Sequence, residues 1–408
     1  MGLDIHMYPS SFRHESRILR ITGSLCEAKV FDRIYVLATW ESGLPECEPL
    51  DANRTVWRVR TPWMGCGGGL IRKTCRFLEW SLRCLNRFRG QDIECVHPHS
   101  LSMLPMALAF RVLTGCRVVY DTHEFEPETI EARGVRKLMG KMIERCAMPF
   151  LDRIVVTSDG FGRLYEERYG VDNVVVVKNY PLRHQPGQGP DVTLKQRLGI
   201  PEDELLFIYQ GLMSPGRGID LMLPVFERGD PRKHLVFMGF GQLLPRAEQY
   251  AARCRNIHVL PGAAPHDVVR HVSTADIGFC LIERTCLSYY HTLPNKLLES
   301  LQGGVPVIVS DFPDMGAVID QWGCGWKVPV AEKRLAELVE SIHPAEVAEK
   351  KTQARRWAQE CYWEREVEQY LAMMHEVLGL STRQVLSLEE AESERAPAAI
   401  ASQWRASA

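Results

Sequence analysis

Apolar residues fall along this chain in two alternating rhythms. Short runs rich in Val, Ile and Leu stand at Leu3–Tyr8, Ile34–Thr39, Thr55–Val59, Ile93–His97, Arg117–Asp121, Arg153–Thr157 and Val174–Lys178. Between them lie segments with helical spacing, such as Ile18, Ile21 and Leu25, or Leu101, Leu104 and Leu108. Runs this short, alternating with helices, predict a parallel, doubly wound sheet covered on both faces. The period stops at Pro181–Pro190, where PLRHQPGQGP has the composition of a linker. It resumes at Leu205–Gln210, His234–Met238, Ile257–Leu260, Ile277–Leu281 and Val305–Val309.

The expected class is therefore α/β, with two Rossmann-like doubly wound domains, 1–185 and 186–356, facing each other across a cleft. A further helix, Tyr362–Leu378, carries Val367, Tyr370, Leu371 and Met374 on one face and is expected to pack back on the first domain as part of a 357–380 segment. From 381 to 408 the chain is rich in Glu, Ala and Ser, the composition of a disordered tail.

Length and composition agree with that division. At about 150 residues per domain, 408 residues make two or three domains, and 45% apolar with 25% charged residues is globular usage. The 49 basic and 51 acidic side chains leave a net charge of −2, which excludes a general nucleic-acid binder. Residues 1–188 carry 26 basic and 22 acidic side chains, so the first half is the more cationic. The 13 cysteines include no C-x-x-C pair, a pattern of reduced thiols in a cytoplasmic protein. No run reaches the roughly 20 apolar residues of a membrane span. Asp4 and His6 interrupt the apolar stretch at the N-terminus, so no signal peptide is expected there.

The segment Ile71–Phe88 adds one qualification. Arg72, Lys73, Arg76, Arg83, Arg87 and Arg89 surround Phe77, Trp80 and Leu85, with Glu79 the one opposing charge. A stripe of Ile71, Cys75, Leu78, Leu82 and Leu85 is expected to face the sheet, and the basic and aromatic remainder suits an anionic membrane surface. The helix over 70–89 is thus a candidate peripheral contact with the inner face of the cytoplasmic membrane.

Cofactor motifs narrow the ligand. The first strand runs into PSSFRHES rather than G-x-G-x-x-G, and neither a Walker lysine motif nor a D-x-D pair is present. A bound diphosphate must then be neutralised by side chains and helix dipoles, without metal. Three places after strands suit one. Gly211-Leu-Met-Ser214-Pro-Gly216-Arg217-Gly218 offers close backbone approach and a guanidinium, though an ordinary strand–helix loop fits the same residues. Gly239-Phe-Gly241 is a shorter turn of the same kind. Leu293–Val309 reads as a helix, a glycine stop and a buried strand. It places Asn295 and Lys296 at the positive helix end and Glu299 one turn later on the same face. A capped surface helix with both charges in solvent is the alternative.

The ordered set GLMSPGRGIDLML, HLVFMGFGQ, NIHVLPGAAPHDVVRHVSTADIGFCLI and LPNKLLESLQGGVPVIVSD resembles the C-terminal domain of GT-B glycosyltransferases, most of all the retaining family 4 group. RHESRILRITGSL, VHPHSLSMLPMAL, VVYDTHE, the stretch Asp152–Ser158 and VVVVKNYP fit that family's N-domain, so the likeness runs over residues 1–378. The resemblance implies transfer of a sugar from a nucleotide-sugar donor, UDP- or GDP-linked, to a carbohydrate or lipid-linked acceptor, with no cofactor and no nucleic acid. It gives Glu299 to the ribose hydroxyls, and Arg217 to the diphosphate. Asn295, Lys296 and the backbone of Leu297 would line the phosphate and sugar, and His123 would touch the transferred sugar. Three features depart from the family: Leu212 stands at the place of its first cation, His291 at that of its first paired glutamate, and Ser10, Ser11, Arg13 and His14 replace its N-terminal Gly-Gly loop. Two rival readings share the cleft: a sugar-nucleotide 2-epimerase, and a catalytically silent nucleotide-sugar-binding paralogue.

Overall fold

A computed structural model describes residues 2–13, 15–61, 69–129, 134–184 and 189–380. His14, residues 185–188 of the linker and the 381–408 tail lie outside the described residues. The first sheet has eight strands: β1 (Leu3–Met7), β2 (Arg33–Thr39), β3 (Cys47–Pro49), β4 (Arg54–Val59), β5 (Ile93–Pro98), β6 (Arg117–Thr122), β7 (Arg153–Val156) and β8 (Val174–Val176). Their order is β3-β4-β2-β1-β5-β6-β7-β8, parallel throughout except for β3 against β4. The second sheet has six parallel strands: β9 (Leu205–Leu212), β10 (Lys233–Phe240), β11 (Ile257–Pro261), β12 (Ile277–Cys280), β13 (Val307–Ser310) and β14 (Gly325–Val328), in the order β11-β10-β9-β12-β13-β14. β3 and β14 have no counterpart in the apolar runs: one is three residues long, and the other is a GWKV tetrapeptide.

Both faces of the first sheet are covered. On one, Trp80, Phe110, Met148 and Phe161 from four crossover helices pack over Ile5, Val96 and Tyr120. On the other, Ile21 and Leu25 of the helix Ser16–Glu27 share a core with Trp363, Val367, Tyr370 and Met374. The helix Trp363–Leu378 thus returns from the second domain onto the first, and Trp363 donates through Nε1 to Ser24 Oγ at 3.1 Å.

The helix Gly69–Phe88 corrects one expectation. Its stripe faces the sheet only in part: Leu85 packs on the core, but Leu78 is 51% and Leu82 63% exposed, and the Ile71 side chain lies outside the described residues. The inward row is Trp80, Cys84 and Phe88, spaced four apart, with Trp80 Nε1 donating to Ala38 O at 3.0 Å. Two large rings bury more apolar area than two leucines, and they set the helix rotation. Glu79 goes inward as well, and Arg83 pairs with it at 2.8 Å.

Besides the linker and the returning helix, side chains join the domains. The helix Asp159–Tyr169 of the first domain begins at Ser158, whose hydroxyl donates to His291 O at 2.7 Å. The Gly160 amide donates to Asp314 Oδ1 at 2.7 Å, and Asp314 Oδ2 lies 3.3 Å from His291 Nδ1. A Cβ on Gly160 would stand 2.2 Å from Asp314 Oδ2 and 2.6 Å from His291 Nδ1. Gly160→Ala should therefore force this junction apart, at a cost of about 1–3 kcal/mol typical of overpacking. Denaturant unfolding checks the loss, and a larger radius of gyration by X-ray scattering checks the opening. A variant with unchanged stability and size contradicts the packing described.

Candidate donor site in the interdomain cleft

The carboxyl ends of β1, β5, β6, β7, β9 and β12 open into one cavity of 840 Å³ between the domains, bordered by Tyr8, His99, His123, Thr157, Gly211 and Ile282. This is where doubly wound sheets bind ligands, because each strand there gives way to a loop or a helix N-terminus.

The second-domain wall is built on β9 and the helix Asn295–Gln302. Pro294 caps that helix with φ −72°, which leaves the amides of Asn295 and Lys296 before the first internal hydrogen bond. The Leu297 amide donates to Pro294 O at 3.0 Å, and its side chain is buried in the core. Lys296 Nζ is buried without a hydrogen-bond partner, 3.8 Å from the centroid of the Tyr209 ring. Burial pushes its pKa down to about 7, and the nearby Arg217 charge acts in the same direction. Arg217 lies over Tyr289, its Nη2 donating to the phenol oxygen at 3.3 Å, while its Nε is buried with no partner. Glu299 borders the cavity one turn beyond Asn295. Burial raises its pKa, against the opposing pull of Gln210, Arg20 and Lys296. Asn295 Oδ1 accepts from Asn179 Nδ2 of the first domain at 2.7 Å. Lys296 Nζ and Arg217 Nε, without hydrogen-bond partners near a helix start, stand where the oxygens of a diphosphate would supply acceptors.

Of the residues singled out in the sequence, His123, Gly211, Arg217, Asn295, Lys296 and Glu299 are brought together on this cavity. Ser214, Gly216, Gly239 and Leu297 are not among its bordering residues. Gly239 pairs with Gly211 between β10 and β9, and a Cβ on it would lie 2.0 Å from Gly211 O, so this glycine lets the strands approach beneath the loop. Gly216 has φ +82° in the turn leading to Ile219–Arg228.

Leu212, at the place of a family cation, is 44% exposed on the cavity wall. Arg13 does not replace that cation, because it pairs with Glu41 at 3.1 Å and does not border the cavity. The first domain sends Arg17 and Arg136 there instead. His291 belongs to the interdomain junction. Sequence reasoning missed Arg136 and also Glu126, which accepts from the Leu101 amide at 2.8 Å and from Ser100 Oγ at 3.1 Å. Burial pushes Glu126 up to about 7. Nothing local marked it: it stands between Glu124 and Glu128, and the fold buries Glu128 as well but pairs that one with Lys137, Lys141 and Arg168.

Two family models match the chain. The model for Glycosyltransferase Family 4 covers residues 28–180, and that for Glycosyl transferases group 1 covers residues 192–360. The fold is similar to sucrose-phosphate synthase from Thermosynechococcus elongatus (TM-score 0.76, 13% identity, 93% of this chain and 100% of that one). It is also similar to Anabaena HepE in complex with UDP and glucose (TM-score 0.70, 12% identity, 92% and 100%). The chain thus belongs to the GT-B glycosyltransferases, with a family 4 N-domain and a group 1 C-domain. Among curated proteins it is 34% identical over 76 residues to the lipopolysaccharide 1,2-N-acetylglucosaminetransferase of Salmonella typhimurium, 19% of this chain and 20% of that protein. It is 27% identical over 174 residues to TuaC of Bacillus subtilis, a putative teichuronic acid biosynthesis glycosyltransferase, 42% of this chain and 41% of that protein. The matches thus span less than half the length of these two relatives.

The lowered pKa of Lys296 gives a test of the phosphate wall. Its ordinary value is 10.5 and its folded value about 7, so at pH about 8 the empty site holds mostly the neutral amine. A diphosphate beside it favours the ammonium, and binding should take up a proton. Below the folded pKa the ammonium is already present, and the uptake disappears. Calorimetric titration with UDP or GDP in buffers of different ionisation enthalpy measures it. Lys296→Met should abolish the uptake; an unchanged uptake removes Lys296 from the phosphates.

Proposed function

We propose that the protein transfers a sugar from a nucleotide-sugar donor carried on UDP or GDP to a carbohydrate or lipid-linked acceptor, in the synthesis of a cell-surface polysaccharide or glycoconjugate on the cytoplasmic side. The observation that carries this reading is the pair of partnerless cationic atoms, Lys296 Nζ and Arg217 Nε, beside Glu299 on one cavity wall. Breaking the bond from the anomeric carbon to the diphosphate leaves negative charge on the phosphate. Arg217, Lys296 and the helix start at Asn295 stabilise that charge, and no metal is required of them. Glu299 accepts the ribose hydroxyls, while His123, from the opposite domain, meets the sugar. A donor phosphate oxygen takes the acceptor's proton on the same face as the leaving group, and the product retains the anomeric configuration. The likeness to a HepE complex containing UDP supports the carrier, and the likeness to the two curated relatives supports the pathway class.

Incubation with a panel of UDP- and GDP-sugars should release the matching diphosphate and transfer or free the sugar. Proton NMR of the first product should show the donor's anomeric configuration. Glu299→Ala should weaken diphosphate binding by about 1.5–3 kcal/mol, the range for hydrogen bonds to charged groups. An epimerised sugar still on its nucleotide indicates the 2-epimerase, and binding without turnover indicates a silent paralogue. An inverted product would require a general base, for which Glu126 and His123 are placed.

The outer layer of the first domain supports a lipid-linked acceptor. Beside Leu78 and Leu82 on Gly69–Phe88, the helix Gly134–Ala147 exposes Val135, Leu138, Met139 and Met142. The helix Leu104–Thr114 between them exposes Val112 and Leu113. In the two outer helices the only carboxylates, Glu79 and Glu144, are buried, which leaves arginines and lysines around the apolar side chains. An anionic bilayer complements such a face. Co-sedimentation with phosphatidylglycerol-containing vesicles should be strong, and Leu78→Ser, Leu82→Ser, Leu138→Ser and Met142→Ser together should reduce it severalfold. Equal sedimentation of the two proteins would exclude this face.

A further inference from the structure

Behind His123 runs a file of buried polar side chains that the transfer chemistry does not use. His123 Nε2 lies 3.3 Å from His99 Nδ1, His99 Nε2 lies 2.8 Å from His6 Nδ1, and His6 Nε2 lies 2.8 Å from Asp4 Oδ2. His6, His99 and Asp4 are buried; Asp4 and His6 lie on β1, and His99 directly follows the neighbouring β5. His97 stacks on His6 at 4.3 Å, lies 3.2 Å from Asp4 Oδ1 and meets the Tyr370 hydroxyl at 3.1 Å. The file therefore extends from the cavity to the returning C-terminal helix.

Counting protons gives it a direction. Three links join three imidazoles to one carboxylate, and each link needs one N–H. Asp4 is held well below the usual carboxylate range, because His97 and His6 outweigh the opposing effect of burial, so it only accepts. His6 must then donate from Nε2, and its Nδ1 is an acceptor for His99 Nε2–H. His99 Nδ1 is left bare and receives the hydrogen of His123 Nε2. Burial lowers the pKa of His6 and His99, the latter to about 3, and both rings are neutral, as this count requires.

The opposite direction fails at one link. It would place a hydrogen on His99 Nδ1, pointing at Asp121 Oδ2 3.1 Å away, and would leave His6 Nε2 bare against Asp4 at 2.8 Å unless His6 were a fully buried cation. The favoured direction sets the bare His99 Nδ1 3.1 Å from Asp121 Oδ2, an unfavourable contact that Arg17 offsets, with its Nε 3.1 Å from both Asp121 oxygens and its Nη2 2.8 Å from Oδ1. Asp121 Oδ2 lies 3.7 Å from His123 Nε2, outside hydrogen-bond distance but near enough to favour a hydrogen on that nitrogen.

We propose that His99, His6 and Asp4 are positioning residues that fix His123 in its Nε2–H tautomer and so keep a bare Nδ1 for the cleft, as a hydrogen-bond acceptor for a hydroxyl of the donor sugar. The sugar contact rests on the donor-site reading above; the tautomer does not. The same three atoms, His99 Nδ1, His123 Nε2 and Asp121 Oδ2, also have the spacing of metal ligands, but Arg17 already supplies the cation beside Asp121.

Long-range proton–nitrogen correlation spectra of ¹⁵N-histidine-labelled full-length protein at neutral pH test this. His6, His99 and His123 should each show a protonated Nε2 and a bare Nδ1. A hydrogen on His99 Nδ1, or a doubly protonated His6, overturns the relay. Movement of the His99 and His123 signals together on adding zinc chloride alone would replace it with a metal site. In His99→Phe the His123 tautomer ratio should shift roughly tenfold toward Nδ1–H, the effect of one hydrogen bond of about 1.4 kcal/mol. An unchanged ratio in a folded variant shows that His99 does not set it, and if the variant does not fold the wild-type spectrum still decides the direction. A nucleotide sugar, but not UDP or GDP alone, should perturb His123 Nδ1. Failure of every nucleotide to bind removes the donor site and leaves the tautomer result standing, whereas a bound sugar that leaves Nδ1 unmoved removes the acceptor role.

Discussion

A parallel sheet needs both faces covered, and the first domain lacks the chain to do this by itself. Its crossover helices between β4 and β8 lie over one face, and only Ser16–Glu27 is left for the other. The apolar strip over Cys95, Val119 and Val155 is closed by Trp363, Tyr370 and Met374, which follow the whole second domain in sequence. Much else depends on that return. It fixes a second crossing between the domains and brings the Tyr370 hydroxyl to the buried end of the histidine file.

The cleft has an asymmetric chemistry. The second-domain wall presents Lys296 Nζ and Arg217 Nε without hydrogen-bond partners beside Glu299, while the first-domain wall presents groups already engaged: Glu126 by a backbone amide and a serine hydroxyl, and Arg17 by the buried Asp121. The two walls therefore offer different groups: free cationic atoms on one side and mostly engaged polar side chains on the other. Burial lowers the Lys296 pKa to about 7, so the site withholds part of a charge that a neighbouring anion would restore.

His291 illustrates how a substitution at a family position changes a residue's work. Its ring turns toward Asp314 and the first domain, at a contact where Gly160 admits no side chain. The site there is a junction between domains rather than a ligand contact, and the cavity wall nearby is left to Tyr289, Thr292 and Leu293.

The sequence alone determined the two sheets, because continuous Val/Ile/Leu runs have no other stable place than the interior of a parallel sheet. It also singled out one wall of the cleft, since Gly211–Gly218 and Leu293–Glu299 are each local: helix geometry groups Asn295, Lys296 and Glu299 without help from distant residues, though that they border a cavity rather than face solvent was decided by the fold. What distance along the chain hides, only the tertiary structure decided. The rotation of Gly69–Phe88 followed the competition between Trp80 and Leu82 for one interior. Glu126 gained its raised pKa from burial under another loop. Asp4, His6 and His99 stand 93 residues apart at their widest bonded pair, and each alone reads as an ordinary strand residue. Their link exists because β1 and β5 lie side by side, and pairing between strands is set by the whole sheet, not by either segment.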